Sequence, residues 1–456
     1  MTFLLNALSP VDGRYSDKAD RLRPIFSEYG LIKKRVTIEV QWLIALSKNQ
    51  EIKEIPIFSD KTLKKLNDLI NSFDEQDAQA VKDIEKTTNH DVKAVEYWIK
   101  NALISQDEIQ AVSEFIHFGC TSEDINNLSY ALMLKEGINN VVVPEIQKVQ
   151  QKLTENAIKF SAIPLLARTH GQTASPTTLG KEFANVAQRI SRQLNGLSKQ
   201  QFLGKMNGAV GNFNAHTSAY PDVYWNTFSK TFVTSLGLEY NEFTTQIEPH
   251  DFIAEIFHNL LRINTILIDF NRDIWSYISI NYFKQRKVEG ETGSSTMPHK
   301  INPIDFENSE GNIGLANALL DHMASKLPVS RWQRDLSDST VLRNIGSAFA
   351  HCGIAYQATL KGLSRLDVNP EAIAADLDDS WEVLAEPVQT VMRKYGMSEP
   401  YEQLKAVTRG RSLNAQLFLE ILEELKLPEA AQAELRDLRP ESYIGIASEL
   451  AKRPFE

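Results

Sequence analysis

The chain has 456 residues, a net charge of −10 and two cysteines, Cys120 and Cys352. That length implies two or three domains, and two cysteines build no disulfide framework, which suits a reducing, cytoplasmic setting. With no sustained Lys/Arg block, general nucleic-acid binding is excluded, and an anionic ligand would need counter-charges gathered locally.

Met1 to Pro10 has no basic segment and no long apolar one, so no signal peptide is expected. Polar segments rich in Gly, Ser, Thr, Asn, His and Pro follow at Ser9–Tyr15, Thr87–Asp91 and His117–Glu123. From Ile146 the apolar residues Val149, Leu153, Ala157 and Phe160 keep helical spacing, on a segment that Pro144 can open. Arg168–Pro176 is the next polar segment. Between Thr177 and Tyr220 there is no proline and the pattern again reads as helical, apart from polar Lys205–Asn214. After Thr245–Asp251 comes a stretch to Val288 without Gly or Pro, where Ile253, Ile256, Leu260, Ile263, Leu267, Phe270, Ile274 and Tyr277 share one face. Glu255, Arg262, Asp269, Arg272 and Asp273 interrupt it, so it is a buried or interface helix and no membrane span. Gly290–Pro303 and Arg331–Asn344 are the last polar segments. Breaks near Gln110 and Gly362–Asp367 divide the chain into an N-terminal helical domain (1–111), a central long-helix bundle (112–364) and a C-terminal helical domain (365–456).

Three segments carry candidate chemistry. Gly290 to Asn302 reads G-E-T-G-S-S-T-M-P-H-K-I-N, whose glycines and serines permit an irregular backbone with amides turned toward an anion beside His299 and Lys300. The bland alternative is a Ser-rich surface linker. Arg168-Thr-His-Gly-Gln-Thr173 offers His170 as a general acid, since imidazole titrates near ~6.5; a structural histidine is the competing reading. Arg331, Arg334, Ser339, Thr340 and Arg343 have the donors for a phosphate or carboxylate clamp, against the alternative of a salt-bridged helix surface. No metal-ligand spacing, phosphate-binding loop or dinucleotide fingerprint occurs, so no metal and no organic cofactor is expected. The residues alone give a mainly α, oligomeric enzyme for an anionic substrate, without a reaction.

Gly293-Ser294-Ser295-Thr296-Met297-Pro298-His299-Lys300-Ile301-Asn302-Pro303 closely resembles the S-S-x-M-P-x-K-x-N signature of the fumarase/aspartase superfamily. Arg168–Gln172 and His117–Asp124 resemble two further regions of that superfamily. Thr88-Asn89-His90-Asp91-Val92 is similar to the T-x-H-D-V segment of its adenylosuccinate lyase branch, as Arg331–Arg343 is to that branch's substrate-binding stretch. The resemblance implies a three-domain fumarase/aspartase-like fold with a long central helical bundle, a homotetramer, and active sites each built from three subunits. It implies elimination of fumarate from adenylosuccinate and from succinylcarboxamide ribotide (SAICAR), small-molecule substrates with no nucleic-acid or membrane partner.

By the same resemblance Ser294 is the base, with Ser295 the alternative, and His170 is the acid, oriented by Glu307. Lys300 and the loop amides hold the aci-carboxylate that forms when the proton leaves. Substrate binding carries over to Arg14, Tyr15, Asn89, His90, Asp91, His117, Thr121, Ser122, Gln246, Asn302, Asn308, Arg334, Ser339, Thr340, Val341, Leu342 and Arg343. The rival readings are an argininosuccinate lyase, which the Thr88–Glu96 segment disfavours, and a non-catalytic helical scaffold, which the intact Ser294, His170 and Lys300 disfavour.

Overall fold

The run from Asp251 without Gly or Pro forms one 29-residue helix, Asp251–Ser279, about 44 Å long at ~1.5 Å per residue. Its expected stripe is buried from Ile253 through Ile274, with Tyr277 half-buried at the end. The helix stops short of Val288, because Asn281 takes a left-handed φ of 63° and the chain turns into the strand Phe283–Gln285, which pairs antiparallel with Leu366–Val368. This computed structural model describes residues 5–104, 107–286, 290, 297, 300–411 and 413–453, and it is mainly helical. Among the described residues no helix is long and apolar enough to cross a membrane.

The chain divides into two compact units. One is Met1–Ile146, Gln193–Asn264 and Gly311–Ala355; the other is Gln147–Arg192, Thr265–Glu310 and Tyr356–Glu456.

In the first unit, helix Glu28–Ser47 starts at Ser27, whose hydroxyl accepts from the Gly30 N–H, with Glu28 against the positive end of the dipole. It packs on helices Asp91–Leu103 and Ser122–Gly137, burying Ile32, Val36, Trp42, Leu43 and Leu46 together with the charged Arg35 and Glu39. Pro144 does not open a new helix. Helix Ser122–Gly137 passes through a π-helical turn, Ile138–Val142, into Val143–Lys159. Pro144 has no N–H for the Asn140 carbonyl one turn back, and the Arg21 guanidinium donates to that carbonyl instead.

The helix expected over 177–220 ends at Leu197. Beyond it, Leu203–Gly204 pairs parallel with Glu239–Tyr240, and Gly208 and Gly211 take φ of 84° and 81°, which a helix cannot accommodate.

In the second unit, Phe183 stacks edge-on or tilted against Phe160, Phe270 and Phe283 at centroid distances of 5.8 to 6.3 Å. Helix Leu179–Leu197 begins so close to the end of Val143–Lys159 that a Cβ on Gly180 would stand 2.3 Å from the Ala157 carbonyl oxygen. Asn271, Ser309 and Thr359 close a buried ring of hydrogen bonds, 2.9, 2.8 and 3.3 Å. Every member is satisfied, which fixes helix register without orphaned polar atoms.

Candidate active site

Two short ribbons in the second unit present His170. Pro164–Leu165 pairs with Thr177–Thr178, and Arg168–Thr169 pairs with Gln172–Thr173. The two-residue connection, His170-Gly171, has φ of 55° and 76°, the positive pair that a type I′ turn requires. Histidine tolerates this region better than most residues, and glycine occupies it freely. The turn leaves His170 exposed, and among the described residues its ring has no hydrogen-bond or ion-pair partner. The ribbon is anchored at its base, where Arg168 donates to Tyr282 Oη at 2.9 Å, lies over the Tyr282 ring and is ion-paired with Asp376.

Lys300 and Glu307 are also exposed in this unit, and Asn302 and Asn308 are half-buried. Glu307 accepts from the Trp275 indole at 3.2 Å. Ser294, Ser295 and His299 lie outside the described residues.

The first unit gathers most of the expected binding residues around paired charges. His90 caps helix Asp91–Leu103, its Nδ1 accepting from the Lys93 N–H at 3.1 Å, and Asn89 before it takes φ 50°. Asp91 receives Arg35 at 2.8 Å and Arg343 at 3.0 Å. Burial alone would raise the Asp91 carboxyl, but the two arginines hold it below the usual carboxylate range. Arg343 also meets Glu28 at 2.6 Å, and Arg334 bridges Glu123 at 3.1 Å and Asp338 at 2.9 Å. His250 Nε2 lies 3.3 Å from the same Asp338. Arg331 is paired with Asp335. Each arginine of the expected clamp is therefore held by carboxylates.

The rest of that stretch is a short helix, Ser337–Leu342. Thr340 is exposed on it, Ser339 and Val341 are half-buried and Leu342 is buried. Arg14 is exposed beside the Tyr15 ring, and Gln246 donates to the Ala209 carbonyl at 3.1 Å.

Thr121 and Ser122 begin helix Ser122–Gly137, and the Thr121 N–H donates to Asp124 at 2.8 Å. Asp124 is wholly buried with Lys205 at 3.1 Å. It also accepts from the Asn207 and Gly208 N–H groups, tying segment 205–208 to segment 121–124. His117, at φ 65°, places Nδ1 2.6 Å from the buried Glu39. Sequence reasoning missed Glu39, Lys205, Tyr282 and Asp376. Glu39 had a signal, an acid inside the apolar run 36–46, where an unpaired charge would be too costly. The other three had none.

His216 lies under this site. It is buried with Trp225 at 4.7 Å and Phe213 at 5.5 Å between ring centroids, and neither ring nitrogen has a partner among the described residues. A Cβ on Gly119 would stand 2.5 Å from its Nε2, so that position must be glycine on space as well as on its φ of 71°. Burial lowers the His216 pKa to about 4, against a smaller opposing pull from Asp124. A folded-state value below the unfolded ~6.5 means the contribution is complete above pH ~6.5 and is lost as pH falls toward 4, about 3 kcal/mol in all. Denaturant midpoints followed by circular dichroism from pH 7 to 4 should fall less steeply in His216→Phe than in the parent; equal slopes would refute this assignment.

The comparisons with known proteins agree with the fold. Residues 13–317 match the family model described as Lyase, and residues 330–444 match the one described as Adenylosuccinate lyase C-terminal. Adenylosuccinate lyase of Escherichia coli strain K12 is 58% identical over 97% of this chain and 97% of its own length. That of Haemophilus influenzae is 56% identical over 98% of each. Among solved structures, fumarate lyase from Mesorhizobium sp. BNC1 aligns with a TM-score of 0.74 at 19% identity, covering 95% of this chain and 96% of that one. The 3-carboxy-cis,cis-muconate lactonizing enzyme from Pseudomonas putida aligns at 0.71 and 20% identity, with 95% of each covered, so both share the fold. A lyase model across the first two thirds, an adenylosuccinate lyase model across the rest and relatives more than half identical from end to end place the chain in the adenylosuccinate lyase family.

Proposed function

We propose that the chain eliminates fumarate from adenylosuccinate to leave AMP, and from SAICAR to leave AICAR. The observation that carries this reading is identity of 58% over 97% of the chain with an enzyme named for the first substrate. In the proposed mechanism Ser294 removes the proton next to a succinyl carboxylate. The carbanion is held as an aci-carboxylate by Lys300 and neighbouring amides, because charge that develops in the transition state needs donors already in place. The C–N bond then breaks and His170 protonates the leaving nitrogen. Serine is a weak base and must be activated as substrate binds.

Arg334 and Arg343 bind the substrate's anionic groups. Their carboxylate partners occupy only some of each guanidinium's five N–H donors and hold the forks in place for the rest. Local cations of this kind draw a polyanionic substrate to a chain of net charge −10.

Glu307 orients His170 in this scheme. Both belong to the second unit, yet Glu307 faces Trp275 and His170 is exposed without a partner among the described residues. This supports a pairing made between copies, in a homotetramer whose sites draw on three subunits, each folded as domains 1–111, 112–364 and 365–456. Purified protein incubated with adenylosuccinate or SAICAR should lower the ultraviolet absorbance of each succinyl substrate with release of fumarate. No release from adenylosuccinate would sink the reading, and release from that substrate alone would remove SAICAR from it.

A further inference from the structure

Glu39 stands in the middle of helix Glu28–Ser47 with no solvent exposure, and its Oε1 lies 2.6 Å from His117 Nδ1. Its other oxygen, Oε2, is buried and has no hydrogen-bond partner among the described residues. A carboxylate held this way is expensive to fold, and a position serving only packing would be filled better by an apolar residue. His117 adds a backbone held at φ 65°, in the left-handed region that histidine tolerates better than most residues but adopts only where its surroundings fix it. A buried, half-satisfied carboxylate and a left-handed backbone thus meet in one contact, and their joint result is a fixed imidazole orientation. With Nδ1–H committed to Glu39, Nε2 is the nitrogen left for other partners, on a side chain that keeps 20% exposure.

We propose that Glu39 is a positioning residue for the elimination: it grips the His117 ring through Nδ1 and keeps Nε2–H as a donor to an anionic oxygen of the substrate. The proposal rests on the reading of His117 as a substrate contact.

The charges around the ring act in the same direction. Three carboxylates face it, Glu39 from helix Glu28–Ser47, Glu96 from helix Asp91–Leu103 and Asp124 from helix Ser122–Gly137. Lys93 and Lys100 are paired with Glu96, and Lys205 with Asp124, which leaves Glu39 as the carboxylate bonded to the ring itself. Burial alone would lower the His117 pKa, but the carboxylates, Glu39 foremost, outweigh it and raise the value above that of free imidazole. A raised value keeps the cation present up to a higher pH, so substrate affinity falls only as pH climbs through it.

The test is a double-mutant cycle on the assembled enzyme, reading kcat and KM for adenylosuccinate from roughly pH 6 to 9. In Glu39→Gln, KM should rise roughly tenfold near pH 8 with kcat little changed, and the pH at which KM begins to climb should fall by about one unit. His117→Asn should give a KM that no longer changes with pH in this range, raised most where the parent's ring is protonated, and Glu39→Gln/His117→Asn should be no worse than His117→Asn alone. Additive losses in the double variant, or a Glu39→Gln profile with the parent's pH dependence, would overturn the proposal. Should Glu39→Gln fail to fold, Glu39→Asp, which keeps the charge but draws it back by one methylene, takes its place in the cycle with a smaller rise in KM. An unchanged KM in His117→Asn would overturn the reading of His117 as a contact. A weakened His117→Asn beside a Glu39 variant identical to the parent would overturn only the role of Glu39.

Discussion

Replacing His170 by asparagine should lower kcat for fumarate release by about 10²–10⁴-fold, the usual contribution of a positioned general acid, while the fold and the assembly persist. His170 lies at the tip of a two-residue turn, exposed, with no ring partner among the described residues. Its side chain therefore contributes almost nothing to stability. Asparagine is the suitable replacement because it tolerates φ near the observed 55°, whereas alanine would add strain at the turn and blur the result. An acid that acts on the leaving nitrogen is needed only when the C–N bond breaks, so KM should stay within a few-fold of the parent. His170→Asn and Ser294→Ala should each keep at most about a hundredth of the parent activity alone. Mixed, dissociated and reassembled, they should regain activity, because a site drawn from different copies can combine an intact His170 with an intact Ser294. Normal turnover by His170→Asn would remove His170 from the mechanism, and mixtures as inactive as their parents would argue against sites shared between copies.

The sequence is readable where chemistry and period are local. The stripe from Ile253 to Ile274 declares its helix because seven apolar residues at three- and four-residue spacing have one way to be buried. The end of that helix was hidden, since Asn281 and the pairing of Phe283–Gln285 with Leu366–Val368 join segments some eighty residues apart. The His170 turn is similar: His-Gly with positive φ is a local signal, but the Arg168–Tyr282–Asp376 anchor that holds its base is not. The arginines of 331–343 were visible as a cationic run. Asp335 and Asp338, within the run, were visible as local partners, but Glu28, Asp91 and Glu123, which hold Arg334 and Arg343 as well, come from far earlier in the chain and could not be read from composition. Pro144 shows the opposite failure. A strong local rule pointed to a helix start, and the π-helical turn with Arg21 at the freed carbonyl kept the helix running through it.

Breaking the buried Lys205–Asp124 pair should produce the largest loss of stability of any single change discussed above. Both side chains have no exposure, and Lys205 Nζ lies 3.1 Å from Asp124 and donates to the Gly208 carbonyl at 2.9 Å. Asp124 also accepts from the backbone N–H groups of Thr121, Asn207 and Gly208. In Lys205→Met the methionine fills the space, but the carboxylate stays buried with three amides and no counter-ion, a situation worth about 3–5 kcal/mol. Asp124→Ala should be at least as damaging, because it strands a buried ammonium and three backbone donors together. The two losses should be far from additive in the double variant, where the stranded charges disappear and only the unmet amides remain. Urea unfolding at fixed protein concentration gives the three values, and a cost below ~1 kcal/mol for Lys205→Met would show that the pair is not what holds these segments together. Because the pair joins segment 205–208 to the turn that carries Thr121 and Ser122, the surviving folded fraction of Lys205→Met should also bind substrate more weakly.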